Sequence, residues 1–325
     1  MKAARFSRFG GPEVLEIVDL PEPRPGAGQV RIAVRAAGVN ASDWKKRAGV
    51  MDEGLPQTLG YEAAGVVDEL GAGVADVAVG DRVYGFDVEG AAQAEFAVLS
   101  HYAPIPPSLD FADAAALPAA VETAARALDR LGVDGGASGG GRTRSASGGA
   151  SPGDGAFASG SGRTLLVNGA SGSVGSAAVQ LAVARGARVI GTAGPANHDH
   201  LRALGAEPVA YGSGLVERVR ALAPGGVDLA LDVAGSGVLP ELIALAGGAE
   251  HVVTIADFAG AHQHGVTFSR GDDGRALYAL DEIGGLIASG RFALPVVRTF
   301  PLAEIAEAHR AGEAGVRGKL VLLIA

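Results

Sequence analysis

The stretch Gly169-Ala170-Ser171-Gly172-Ser173-Val174-Gly175 constrains this chain more than any other part of it. An apolar strand pattern, Thr164-Leu165-Leu166-Val167 within residues 163–168, runs into it. An apolar helical pattern over residues 174–185 leaves it, and a second strand pattern follows at 188–192. Strand, glycine turn, helix and strand in that order form the unit that holds a dinucleotide. Glycines let the backbone turn sharply and approach a pyrophosphate closely. The N-terminus of the following helix offers N–H groups and a partial positive charge. All seven residues are therefore expected to line a dinucleotide site.

The alternation continues downstream. Helical patterns cover residues 198–204 and 239–245, and strand patterns cover 207–210, 227–233 and 251–256. Such alternation implies a parallel sheet with crossover helices. Upstream the pattern differs. Short strands are expected at 29–36, 61–70 and 81–86, with Gly71, Gly73, Gly80 and Asp81 as turn residues between them. Many short strands at this spacing suggest a small barrel. Residues 111–131 read as one helix, with Ser108 or Asp110 as N-cap. Residues 302–311 read as a helix, and 318–324 as a last apolar strand able to pair back into the first domain. Residues 132–162 are almost all Gly, Ser and Ala. They bury too little apolar surface to offset their ordering entropy and are expected to form a flexible insertion.

The end of the second strand selects the dinucleotide. NAD sites place an acid there to hold the ribose 2′-hydroxyl. This chain has Gly191-Thr192-Ala193-Gly194-Pro195-Ala196-Asn197-His198, with no acid before Asp199. An acid would repel a 2′-phosphate, whereas Thr192, Asn197 and His198 can donate hydrogen bonds to one, unless His198 is only the first exposed residue of a helix. NADPH is expected over NADH. Ile255 and Ala256 close a later strand, where open α/β sheets bind ligands, and their backbone is expected to meet the nicotinamide carboxamide.

Composition removes several alternatives. The net charge of −9 leaves no basic footprint for nucleic acid. Without cysteine the chain has no disulfide, no thiolate zinc site and no cysteine nucleophile. Met1 to Gly10 carries Lys2, Arg5 and Arg8 but no apolar run, so no secretory leader is expected there. No stretch is long and apolar enough to span a bilayer, and a cytoplasmic location is expected. His251, His262 and His264 lie close in sequence, the last two in an expected loop, and no metal site is expected from them. Lysine occurs only at positions 2, 45, 46 and 319.

A set of ordered motifs resembles one known family. Arg35-Ala36-Ala37-Gly38-Val39-Asn40 precedes Asp43-Trp44-Lys45. Then come Gly60-Tyr61-Glu62-Ala63-Ala64-Gly65-Val66-Val67 and Val79-Gly80-Asp81-Arg82-Val83-Tyr84-Gly85. Ala115-Ala116-Leu117-Pro118, Glu122-Thr123-Ala124 and the glycine loop with Ala178-Val179-Gln180-Leu181-Ala182 follow. Leu204-Gly205-Ala206, Val227-Asp228, Asp232-Val233-Ala234-Gly235 and Gly318-Lys319-Leu320-Val321 close the series. Together they resemble the zinc-free quinone oxidoreductase branch of the medium-chain dehydrogenase/reductase superfamily, across nearly the whole chain.

The resemblance implies an α/β chain with a GroES-like β-barrel domain and a Rossmann domain with a doubly wound parallel sheet. The barrel domain is expected at 1–118 and 291–325, and the NADPH-binding domain at 119–290, with the insertion at 133–162. A substrate cleft between the domains and a homodimer are implied as well. Zinc-dependent members of the superfamily place Cys and His where this chain has Asn40 and Tyr61, neither a good zinc ligand. Without that Lewis acid, the implied reaction is reduction of a quinone or an α,β-unsaturated carbonyl. The alternatives are an enoyl-thioester reductase of polyketide or fatty-acid metabolism, and an NADPH-binding protein without turnover.

The resemblance also implies catalytic residues. Lys45 polarises the carbonyl or supplies a proton, unless it and Lys46 form a solvated pair. Asn40 orients the ribose or the substrate, unless it is a turn residue. Tyr61 donates into the pocket, unless it belongs to the core. Thr123 matches a threonine near the nicotinamide, unless it is simply a helix residue, and Tyr211 matches a tyrosine beside the adenosine phosphate. Lys319 reaches the cofactor or is a solvated lysine.

Overall fold

The computed structural model describes residues 1–51, 54–87, 90–133, 162–271, 274–316 and 318–325. The insertion expected at 133–162 lies outside the described residues except for its two ends. The chain divides into two compact units. One comprises Met1–Thr123, Gly172–Ala177 and Arg275–Ala325; the other comprises Ala124–Ser171 and Ala178–Gly274.

The first unit is built on two sheets. Strands β1 (Lys2–Phe6), β2 (Glu16–Asp19) and, after β3 (Val30–Val39), β4 (Gln57–Thr58) give a three-stranded sheet in the order β2-β1-β4. The larger sheet uses β3, β5 (Glu62–Leu70), β6 (Arg82–Phe86), β7 (Phe96–Leu99) and β8 (His101–Pro104). Its remaining strands come from near the other end of the chain, and they appear below as β15 (Val296–Pro301) and β16 (Lys319–Leu323). The last strand does pair back: β16 lies antiparallel to β3, with Val321 opposite Gly38. The alternation of Val30, Ile32 and Val34 on β3 feeds a core with Leu99, Phe300, Leu320 and Leu322. Each such side chain contributes about 1.5–3 kcal/mol on burial.

Helix α1 (Ala41–Arg47) leaves β3 directly, and the Asp43 carboxylate accepts the Asn40 N–H at 2.7 Å to hold its first turn. The single helix expected over 111–131 is two: α2 (Phe111–Ala115) and α3 (Pro118–Arg130). Proline disfavours helical backbone at the residue before it but fits the first turn of a new helix, so the break falls at Pro118. Asp110, not Ser108, caps α2 by accepting the Asp113 N–H at 2.8 Å.

The second unit carries six parallel strands: β9 (Thr164–Asn168), β10 (Arg188–Thr192), β11 (Ala206–Val209), β12 (Leu229–Asp232), β13 (Val252–Thr254) and β14 (Thr267–Phe268). Their order is β11-β10-β9-β12-β13-β14. The chain therefore starts in the middle, winds to one edge, returns to the middle and winds to the other. The switch point between β9 and β12 is where open sheets of this kind bind ligands. Helices α4 (Ser173–Ala184), α5 (His198–Ala203), α6 (Leu215–Leu222), α7 (Leu239–Ala246) and α8 (Phe258–His264) connect or follow these strands. Leu166, Ile190, Leu239, Leu242 and Val252 share one apolar core. His262 and His264 lie on α8 and not in a loop, because Asp257 caps that helix and Gly265 ends it in the left-handed region. Helices α9 (Ala279–Ala288) and α10 (Ile305–Glu313) belong to the first unit. No helix among the described residues is long and apolar enough to cross a membrane.

Candidate functional site

The glycine loop follows β9 at the switch point. Gly169 has φ +82°, and a Cβ placed on it would lie 2.7 Å from the Cβ of Ala234, so both backbone conformation and space demand glycine. The Ala170 N–H donates to the Thr192 carbonyl at 3.0 Å, and the Ser176 N–H to the Gly172 carbonyl at 2.7 Å. Ser171, Gly172, Ser173 and Val174 are half-buried, while Ala170 and Gly175 are buried. Helix α4 starts at Ser173 and so directs the N–H groups of its first turn into the loop. Gly191 lies beside it, where a Cβ would meet the Ala170 methyl at 2.8 Å.

The end of β10 departs from the sequence expectation at one residue. Thr192 is wholly buried, donates its hydroxyl proton to Asn168 Oδ1 at 2.8 Å and accepts the Gly169 N–H at 2.9 Å. Its proton is spent inside the fold, so Thr192 is corrected from a phosphate donor to a support of the glycine turn. Asn197 and His198 are half-buried just beyond it, and His198 Nε2 lies 3.3 Å from the Ala193 carbonyl. Asp199, the first acid, is exposed and paired with Arg202 at 2.6 Å. Tyr211 is exposed, on a loop whose carbonyls from Ala210 to Ser213 all accept from the Arg218 guanidinium. Ile255 and Ala256 are half-buried beyond β13, and the Ala256 N–H donates to Thr254 Oγ1 at 3.1 Å.

The first unit brings Asn40, Glu62 and Lys319 together although they come from distant parts of the chain. The Lys319 ammonium donates to Asn40 Oδ1 at 2.6 Å and forms an ion pair with Glu62 Oε1. Asn40 Nδ2 donates to that same oxygen at 2.8 Å, and the Ala119 N–H to Glu62 Oε2 at 2.7 Å. Lys319 is 1% exposed, which rules out a solvated lysine there. Its charge is balanced by a carboxylate that is itself wholly buried.

Beside this cluster, Asp43 Oδ2 accepts from the Asn40 N–H and, at 3.3 Å, from Gln93 Nε2. The Gly60 N–H also faces the Asp43 carboxylate, and Gln93 Oε1 is buried without a hydrogen-bond partner among the described residues. Burial, helped by the nearby Glu62 charge and opposed by the Asn40 N–H and Lys319, pushes the Asp43 carboxyl up to about 6. Arg47 anchors α1 from beneath through the Gly10 carbonyl, His309 Nδ1 and Glu313. Burial and that guanidinium push His309 down to about 3.

Lys45 is exposed on α1. It is Lys46, set aside by the sequence reading, whose ammonium lies 4.6 Å from the Tyr61 ring centroid. Tyr61 is half-buried next to Glu62 and so sits beside the Asn40–Lys319 cluster in sequence. Thr123 is half-buried on α3, its hydroxyl 3.5 Å from the Glu122 carboxylate. The sequence reading missed Glu62, Asp43 and Gln93 as members of this group, and Asn168, Asp232 and Thr254 at the sheet end. The last three share a visible signal: each is a polar residue closing an apolar strand.

Residues 26–102 match the model of the alcohol dehydrogenase GroES-like domain, and residues 204–322 that of the zinc-binding dehydrogenase family. The chain is 38% identical over 199 residues to the quinone oxidoreductase of Rattus norvegicus, covering 60% of this chain and 53% of that protein. It thus spans about half the length of that relative. It is 34% identical over 341 residues to a spectinabilin polyketide synthase protein of Streptomyces orinoci, covering 98% of this chain and 14% of that protein. The solved quinone oxidoreductase of Coxiella burnetii superimposes with a TM-score of 0.79 at 29% identity, over 100% of this chain and 99% of that one. The chain belongs to the medium-chain dehydrogenase/reductase superfamily, that of the alcohol dehydrogenases. Its two units carry the GroES-like and Rossmann-like folds of that superfamily.

One matched description raises a zinc ion, and the residues do not fit it. Asn40 and Tyr61 offer a neutral amide and a phenol, and the chain has no thiolate to supply. The adjoining carboxylate of Glu62 already holds the Lys319 ammonium. Among the described residues no group of three or more His, Asp or Glu converges as metal ligands would.

Proposed function

We propose that this protein is an NADPH-dependent, zinc-independent reductase of quinones or α,β-unsaturated carbonyls. The observation that carries the reading is the glycine loop at the switch point, beside a strand end without an unpaired acid. The residues fit a dinucleotide: the loop from Gly169 to Gly175 would take the pyrophosphate, and His198 with Asn197 the 2′-phosphate. Tyr211 would flank the adenosine phosphate, and Ile255 and Ala256 would meet the carboxamide. Thr123 is assigned to the nicotinamide side. When bound, NADPH supplies the hydride.

The chain's own residues would then manage charge and protons. A carbonyl oxygen that gains negative charge needs donors aimed at it, and the adjacent carbon or oxygen needs a proton. Lys45 and Tyr61 are the proposed donors, with the Lys46 ammonium steadying the Tyr61 ring. Asn40 is held in one orientation by Glu62 and Lys319, and so is suited to orient a ligand rather than to move a proton. Lys319 acts through Asn40 in this reading.

A second reading, an enoyl-thioester reductase of polyketide metabolism, is favoured by one fact. The match inside the Streptomyces orinoci polyketide synthase protein runs along 98% of this chain. The two readings separate on substrate. NADPH oxidation would be followed with a quinone, a short enone and a crotonyl thioester. Faster turnover of the quinone or enone is expected, and a clear preference for the thioester would replace the first reading with the second. A cytoplasmic homodimer completes the proposal, and sedimentation velocity showing a monomer would remove the dimer.

A further inference from the structure

Four neighbouring strands of the parallel sheet each end in a polar residue: Thr192 on β10, Asn168 on β9, Asp232 on β12 and Thr254 on β13. The register sets Asp232 opposite both Asn168 and Thr254, so the four form one row across the sheet. Thr192, Asp232 and Thr254 are wholly buried, and Asn168 is 5% exposed. Polar groups that deep in an apolar sheet are costly unless each finds a partner.

The partners run in a single sense. The Gly169 N–H donates to Thr192 Oγ1 at 2.9 Å, Thr192 to Asn168 Oδ1 at 2.8 Å, and Asn168 Nδ2 to Asp232 Oδ1 at 2.9 Å. From the other side, the Ala256 and Asp257 N–H groups donate to Thr254 Oγ1, each at 3.1 Å, and Thr254 donates to Asp232 Oδ2 at 2.8 Å. The Ala234 and Gly235 N–H groups reach Asp232 Oδ1 directly, at 3.1 and 2.9 Å. Every donor ends on one carboxylate. An ionised carboxylate only accepts, so it dictates which way the Asn168 amide and both hydroxyls point.

The backbone groups at the ends of this row open three loops, those after β9, β12 and β13. The loop after β12 holds Gly235, Ser236 and Gly237 in succession at φ +76°, +74° and +70°, a strained arrangement for a serine. It also packs on the glycine turn, where the Ala234 methyl fills the space denied to a Gly169 side chain. We propose that Asp232 is a positioning residue, whose charge, relayed through Asn168, Thr192 and Thr254, fixes the spacing of the three loops that face the dinucleotide. The proposal rests on the dinucleotide reading above.

The test separates loop spacing from general folding. Asp232→Asn offers one oxygen where two carboxylate oxygens took four donors. The exchange Asn168→Asp with Asp232→Asn keeps an amide–carboxylate bond between β9 and β12 but leaves the loop after β12 without its double acceptor. Thr254→Val removes the acceptor of the Ala256 and Asp257 N–H groups and the one donor to Asp232 Oδ2, and leaves the three donors on Oδ1 in place. For each, KM for NADPH, KM for the quinone, the NADPH Kd by titration and the melting temperature would be measured. Both Asp232 variants are expected to raise KM and Kd for NADPH at least tenfold, with KM for the quinone unchanged. Thr254→Val is expected to raise them severalfold while melting within a few degrees of the parent. NADPH affinity within twofold of the parent in all three, or an equal rise in KM for the quinone, would overturn the role. If the parent protein binds neither NADPH nor NADH, the dinucleotide reading falls first and takes this assignment with it.

Discussion

Glu62 and Asp232 are both wholly buried carboxylates, and their surroundings differ in kind. Glu62 is held by a buried ammonium, an amide and one backbone N–H. Asp232 is held by four uncharged donors: an amide, a hydroxyl and two backbone N–H groups. The first arrangement is expected to fail at one step when its cation is lost. The second is expected to degrade bond by bond, each loss displacing a loop. The proposed proton chemistry lies near the first, and the proposed cofactor grip at the second. Next to Glu62 the acceptor Gln93 Oε1 has no hydrogen-bond partner among the described residues, whereas both oxygens of Asp232 are used.

The sharpest way to break this comparison is Lys319→Met. It strands the Glu62 carboxylate without its cation, at an expected cost of about 3–5 kcal/mol in urea unfolding. Adding Glu62→Gln should recover most of that loss. A single-variant cost under about 1 kcal/mol would show that Glu62 does not depend on the pair.

Gly169→Ala comes next. A methyl group in the left-handed region, 2.7 Å from the Ala234 Cβ, is expected to cost about 1–3 kcal/mol and to weaken NADPH binding more than tenfold. Unchanged NADPH affinity would place the dinucleotide elsewhere.

Asp43 gives a pH-dependent contrast. Its folded carboxyl keeps a proton up to about 6, while an unfolded aspartate releases it near 4. Between those values the folded state binds more protons, so this group's contribution falls as pH rises through the window. Asp43→Asn should flatten that part of the stability–pH curve by roughly 1–3 kcal/mol and be mild at pH 8. An unaltered slope between pH 4 and 6 would remove Asp43 as its source.

The smallest stability effect belongs to Lys45→Ala. An exposed helix position should change unfolding by less than about 0.5 kcal/mol, yet turnover should drop by roughly 100-fold if Lys45 serves as proton donor. A normal rate in that variant, with a loss in Lys46→Ala, would move the role one residue along α1.

The sheet unit was readable because three levels agreed: apolar strands, a glycine turn and helical runs in strict alternation. The glycine loop carried its own context on both sides. The break between α2 and α3 is hidden because the Ala- and Leu-rich pattern runs straight through Pro118, and only the proline's effect on the residue before it marks the boundary. Lys319 was ambiguous because a strand end does not reveal its burial. Its partner Glu62 lies 257 positions away, and nothing local signals the pair. The row of Asn168, Thr192, Asp232 and Thr254 was half visible. Each polar strand ending stands in the sequence, but the register that aligns them exists only once the sheet is formed. Thr192 shows the cost of that gap, since its hydroxyl is satisfied by a neighbouring strand and not by a ligand.

The central claim is that the glycine loop and the acid-free end of β10 together select NADPH. Titrating the protein with NADPH and with NADH, following quenching of its single tryptophan or the heat of binding, tests it most directly. The account predicts that NADPH binds at least tenfold more tightly, and that His198→Ala narrows the gap. Equal dissociation constants for the two dinucleotides would contradict it.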